Sequence, residues 1–170
     1  MRPRVIELPE MFLLGLEFFG DPFKFSAGWT EENEIGRLWK RFLAYLEQHN
    51  DQLLHIKDGS VMYEIHIEHQ ETQQTGEYEV FVGVEVTRLE NVPIDITVKV
   101  LPATLYAIFT LKGEQILSDW STMVHKEWMP GSGYRLSYPF GMQCYDDRFK
   151  GLENISESEL ELYIPIVKAE

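Results

Sequence analysis

Two stretches of the chain alternate strictly between apolar and polar positions. Val61, Tyr63, Ile65 and Ile67 interleave with Met62, Glu64, His66 and Glu68, and Tyr78, Val80, Val82, Val84 and Val86 interleave with Glu79, Phe81, Gly83 and Glu85. A period of two predicts strands, and the polar QETQQTGE between them predicts a hairpin turn. Upstream, residues 5–18 read as one strand around MFLLGL, followed by a loop rich in aromatic and turn-forming residues. Thr30 then stands where it can cap a helix running from Glu31 to about His49. Ile35, Leu38, Trp39, Phe42, Leu43 and Leu46 recur there at three- and four-residue spacing, which gives the helix one apolar face.

The second half predicts the same order of elements. Residues 96–101 and 104–111 are strand-like and interrupted at Pro102, a helix is expected from Glu114 to Trp128 before Met129-Pro130-Gly131, and strands follow at 134–138, 141–145 and 160–167. Ile35 and Trp39 of the first helix match Ile116 and Trp120 of the second at a separation of 81 residues, and Tyr78–Val84 lines up with Leu160–Ile166 at 82. The expected fold is therefore α+β, with two pseudo-symmetric strand–helix–strand–strand modules (about 1–90 and 95–170), largely antiparallel sheets and two long helices in a single domain.

In each module's last strand the apolar face, Val80, Val82 and Val84 or Leu162, Ile164 and Ile166, is expected under the helices. The opposite face then carries Glu79, Phe81 and Glu85 in one half, and Glu161, Tyr163 and Pro165 in the other. Alternation sets Gln143 and Tyr145 on one side of their strand, with Met142 and Cys144 on the other. Acidic and aromatic groups on two free faces predict a groove at the junction of the modules, the concave kind of place that small ligands favour.

Charge narrows the partners. Fifteen Lys and Arg stand against 28 Asp and Glu, a formal net charge of −13, so direct binding of nucleic acid or of an anionic membrane is not expected. Aromatic residues make up 13% of the chain, enough to wall a pocket as well as fill a core. Cys144 is the only cysteine, which leaves no internal disulfide or cysteine-based zinc site and fits a cytoplasmic address. Neither a signal-peptide h-region at the N-terminus nor an uncharged apolar run of 18 residues is present. His66 and Glu68 share a strand face near His55 and His69, but no third metal ligand is specified, so a solvated hairpin face is expected. No cofactor motif, phosphate loop or nucleophile elbow is visible.

The segments VLPATLYAIFTLKG, EWMPGSGYRL, MQCYDDRF and SELELYIPIVK, with the opening IELPEMFLLGL, resemble the GyrI-like small-molecule-binding domain. That domain is also the effector-binding part of some AraC- and MerR-type regulators, and the resemblance spans essentially the whole chain. It implies a duplicated fold with a central pocket for bulky hydrophobic or cationic organic molecules. In many members a glutamate two residues before the tyrosine matching Tyr145 lies on the pocket floor; here that position is Gln143. An amide offers hydrogen bonds but no charge and cannot act as a general base. The departure argues against the hydrolase activity of some members, and leaves Glu85, Glu79 or Glu161 to supply charge from a neighbouring strand.

The sequence thus points to a stand-alone binding or sensing protein without a DNA-binding domain or a cofactor. Its expected partner is a hydrophobic or cationic small molecule, held by Gln143, Tyr145, Tyr163, Trp120, Glu85, Phe81, Tyr106 and Glu161. Trp39 is expected in the core. A hydrolase of small electrophiles and a protein-interaction role in the manner of a gyrase inhibitor are the alternatives, and the oligomeric state stays open.

Overall fold

The computed structural model describes residues 1–25 and 32–170, so the expected Thr30 cap and Glu31 helix start lie outside the described residues. Among the described residues nine strands form one antiparallel sheet: β1 (Arg4–Leu8), β2 (Met11–Gly20), β3 (Met62–Ile67), β4 (Tyr78–Val86), β5 (Thr97–Leu101), β6 (Thr104–Lys112), β7 (Tyr134–Leu136), β8 (Phe140–Tyr145) and β9 (Glu159–Lys168). Their order is β1-β6-β9-β8-β3-β4-β2-β5, with β7 also on β9. The β3–β4 hairpin forms, and α2 (Thr72–Thr75) sits in its connection.

The expected single strand over 5–18 is two, because Pro9 interrupts the ladder. The two pieces part company: β1 pairs with β6 of the second half, whereas β2 pairs with β4 and β5. In return β5, which leads into the second half, pairs with β2 of the first. The strand order is consequently symmetric about the central β3–β8 pair.

Helix α1 (Glu34–His49) carries the apolar stripe read from the sequence, burying Ile35, Leu38 and Phe42. Asn33 caps it, its side chain accepting from the Gly36 amide at 2.9 Å. The second long helix is not continuous from Glu114. A 3-10 turn (Gly113–Leu117) ends where the Ser118 hydroxyl donates to the Gln115 carbonyl at 2.6 Å, and Asp119 restarts the helix by accepting from the Thr122 amide at 3.0 Å. From there α3 (Trp120–Thr122) runs through a π-helical segment (Met123–Trp128) into α4 (Met129–Ser132), and Gly133, at φ 76°, closes it in the left-handed conformation. Ile116, expected to match Ile35 on a helix, lies in the 3-10 turn.

One face of the sheet carries both helices. Val80, Val82 and Val84 pack with Leu38 and Phe42 of α1, while Phe109, Leu162 and Ile164 pack with Val124 and Trp120. The opposite face buries its own cluster, including Leu13, Tyr63, Ile65, Phe81 and Met142. Phe81 lies across the paired Gly15 and Gly83: a Cβ on Gly83 would stand 2.6 Å from its ring and 2.5 Å from the Leu14 carbonyl oxygen. None of the helices among the described residues is long and apolar enough to cross a membrane.

Candidate functional site

The middle of the helix face is set by β3 and β8, whose register places Glu64 opposite Gln143 and His66 opposite Gly141. Glu64 also lies opposite Val82 and Gln143 opposite Leu162. Directly paired residues share a face, so Glu64, His66, Gln143 and Tyr145 all look toward the helices. This corrects two expectations. The polar side of β3 is no solvated hairpin face: the pairing of β8 along its second edge draws it under the helices, where Glu64 is fully buried and the His66 side chain is 14% exposed. Tyr145 and Tyr163, expected to hold one ligand together, lie on opposite faces, because Tyr163 pairs with Met142.

Burying a carboxylate is costly unless donors surround it. Trp39, one turn along α1 from Ile35, donates its indole N–H to Glu64 Oε1 at 2.6 Å. The His66 imidazole bonds Glu64 Oε2 through Nε2 at 2.7 Å. Both oxygens are thus held, one from the helix and one from the same strand. Beside them the Tyr145 hydroxyl donates to Gln143 Oε1 at 2.7 Å. The Tyr145 ring meets Trp39 edge-on at 5.0 Å and Phe149 at 4.9 Å. Desolvation first, and the Glu64 charge second, push the Tyr145 phenol well above its ordinary range, so it stays a neutral donor.

A cavity of about 410 Å³ opens over this group, walled by Trp39, Leu43, Met62, Tyr145 and Phe149, with Glu64 in its floor. A second, of about 540 Å³, lies at the other end of the face around His66, Tyr78, Trp120, His125 and Phe140. Among the described residues no three His, Cys, Asp or Glu side chains converge as metal ligands.

The eight residues singled out in the sequence divide between the two faces. Gln143 and Tyr145 lie beside Glu64, and Trp120 walls the second cavity. Phe81 and Tyr106 are fully buried on the far face, where Tyr106 packs against the half-buried Tyr163 at 6.0 Å. Glu161, also there, is held by Arg4 at 2.7 Å and by Arg148 at 3.5 Å, and Glu85 pairs with Lys57 at 3.2 Å. The structure does not gather these five around either cavity. Glu64 was missed because strand alternation alone assigns it a polar face; only the β3–β8 pairing buries that face. Trp39, expected in the core, is half-buried and joins core to cavity.

The symmetric antiparallel sheet carries the helices and both cavities on one face. The chain belongs to the integron-associated effector binding protein family (Cass2), whose signature matches residues 4–166. It is 31% identical over 168 residues to the transcriptional regulator BrlR of Pseudomonas aeruginosa, covering 98% of this chain but 56% of BrlR. The chain therefore spans about half the length of that relative. Among solved structures, SAV2435 bound to tetraphenylphosphonium superposes with a TM-score of 0.70 at 14% identity, covering 98% of this chain and 94% of that one. The EcmrR C-terminal domain superposes with a TM-score of 0.67 at 15% identity, covering 99% and 98%. At those identities the likeness is one of fold.

Proposed function

We propose that this protein senses or sequesters an aromatic organic cation in the cavity beneath α1, with Glu64 as counter-charge and Trp39, Tyr145 and Phe149 as the stacking walls. The observation that carries the reading is a fully buried carboxylate at the floor of an aromatic cavity. Such a site suits a lipophilic cation: the rings offer their negative faces and the carboxylate offsets the charge. The ligand reported for the SAV2435 structure is a cation of this chemistry. The formal net charge of −13 would draw cations toward the surface before they enter. Glu64 thus takes, from the adjacent strand, the part that Gln143 cannot play. Both of its oxygens are tied to N–H donors, an arrangement that holds a charge in place rather than one that takes a proton from water. On this reading the two halves descend from a duplicated module, and only the first half's end of the cleft carries the carboxylate.

Isothermal titration with tetraphenylphosphonium tests the proposal. Saturable binding of one cation is expected, together with a raised melting temperature at excess ligand. Triphenylphosphine oxide, neutral and similar in shape to one face of that cation, should bind far more weakly. Equal binding of the two, or no saturable binding of the cation, overturns it.

A further inference from the structure

The two cavities are related by the approximate symmetry of the sheet, and the relation exposes a chemical difference between them. Ile65 and Met142 face each other at the centre of the β3–β8 ladder, and each takes the same kind of partner on its outer side, Phe81 for Ile65 and Tyr163 for Met142. Exchanging the halves about this pair exchanges Trp39 with Trp120, Glu64 with Gly141 and His66 with Gln143. The cavity at Trp39 has a carboxylate in its floor. At the matching place beneath Trp120 there is a glycine, with no side chain at all.

The floor of the second cavity is therefore open where the first is charged, and the nearest atoms to a Cβ at Gly141 would be those of Ile164 at 3.5 Å and Trp120 at 3.7 Å, ordinary contact distances. Its walls remain aromatic, with Trp120, Tyr78 and Phe140 around it. Its polar lining includes two imidazoles, beside the carboxylates of Glu68 and Asp119 and the hydroxyls of Thr72, Ser118 and Ser121. His66 lines this cavity and presents Nε2 to the Glu64 carboxylate, which accepts. In the neutral ring Nδ1 is then an acceptor, and among the described residues nothing donates to it. His125, also in the lining, is pulled below its ordinary pKa by desolvation, which outweighs the opposing pull of Glu68 and keeps the ring uncharged at neutral pH. Glu68 is exposed, and Asp119 is occupied in capping α3. Both repel anions, and neither is a buried counter-ion for a cation.

We propose that the Trp120 cavity is a second ligand site, selective for a neutral aromatic molecule bearing one O–H or N–H donor, which it gives to His66 Nδ1. The ring stacks against Trp120 and Tyr78 while the donor satisfies an acceptor left unpaired among the described residues. The site is separate from the cation cavity and does not depend on that reading.

Indole N–H resonances of the ¹⁵N-labelled protein, assigned with single Trp→Phe variants, report the two cavities separately through Trp39 and Trp120. The probes are 1-naphthol and 1-methoxynaphthalene, which share a ring system and differ in the donor. Saturable movement of the Trp120 resonance by 1-naphthol is expected, with the ether at least about tenfold weaker, the scale of one buried acceptor left unpaired. Gly141→Leu, which fills the floor, should abolish the naphthol response. Ser121→Phe, at an exposed helix position on the rim, is a second block should the first variant fail to fold. Equal affinity for the two probes, a naphthol response confined to Trp39, or wild-type binding by a folded blocking variant overturns the proposal. Tetraphenylphosphonium titrated in parallel separates the two readings, since its failure to move Trp39 leaves the Trp120 result standing, and the converse also holds.

Discussion

Glu64→Gln is the substitution that most directly probes the cation site. It keeps size and shape and removes one charge. A ligand cation seated in the cavity against Trp39 and Tyr145 would stand about 5 Å from the carboxylate, where two unit charges interact by roughly 3 kcal/mol at an effective dielectric constant of about 20. Partial screening through the cavity mouth lowers this to about 2–3 kcal/mol, or about 30- to 200-fold in affinity. The variant also has a cost to the fold. A carboxylate accepts from both the Trp39 indole and the His66 imidazole, whereas an amide turns its NH₂ toward one of them. A lost bond of this kind costs about 1–3 kcal/mol, so titrations belong well below the variant's melting temperature. Calorimetry with methyltriphenylphosphonium and triphenylphosphine oxide isolates the charge. The cation should weaken by the factor above, while the oxide changes less than about threefold. A parallel loss for both ligands would mean that Glu64 only shapes the cavity, and no loss for either would place the ligand elsewhere.

Other outcomes follow from the packing and the titrating groups. Gly83→Ala should lower stability by about 1–3 kcal/mol, the usual penalty of overpacking, because its Cβ would meet both Phe81 and the Leu14 carbonyl; chemical denaturation reads this as a lower midpoint at unchanged slope. Desolvation pushes the Cys144 thiol up to about 12, so iodoacetamide at pH 8 should leave the native protein unmodified and alkylate it fully in denaturant. Hydrogen bonds from Arg148 hold the Asp146 carboxyl below its ordinary range. That contribution is complete above the unfolded-state pKa of about 3.9 and disappears as pH falls through the lower folded value; Asp146→Asn should therefore flatten the acid limb of the stability curve and leave its slope near pH 7 unchanged.

The helix and strand patterns were largely legible because they are local. Ile35, Leu38 and Phe42 mark the buried stripe of α1, and the alternation expected over 78–88 marks β4, which ends two residues earlier at Val86. Where a side chain competes with the helix ladder, as Ser118 and Asp119 do, periodicity alone started the second helix at Glu114, six residues before α3 begins at Trp120. The site was harder to read for a different reason. Whether the Glu64 side of β3 meets water or a helix is decided by β8, 75 or more residues away in the chain. Gln143 faces Glu64 across the ladder, yet a charge one strand over has no signature in a linear motif. The far-face residues Phe81, Tyr106 and Tyr163 looked like pocket walls because aromatic content does not tell a wall from a core.

The crossing of the edge strands ties the two halves together. Each half contributes its leading strand to the other's flank, β1 onto β6 and β5 onto β2, so neither half closes its own sheet. Folding must bring together segments about a hundred residues apart before either flank is complete, which makes the reaction one of long loop closures and slow by the standards of small domains. A chain cut in the exposed connection at residues 88–91 would yield two fragments that are each unfinished alone and complementary in mixture. Reassembly of such fragments would be bimolecular, and the rate at which binding returns would rise with their concentration.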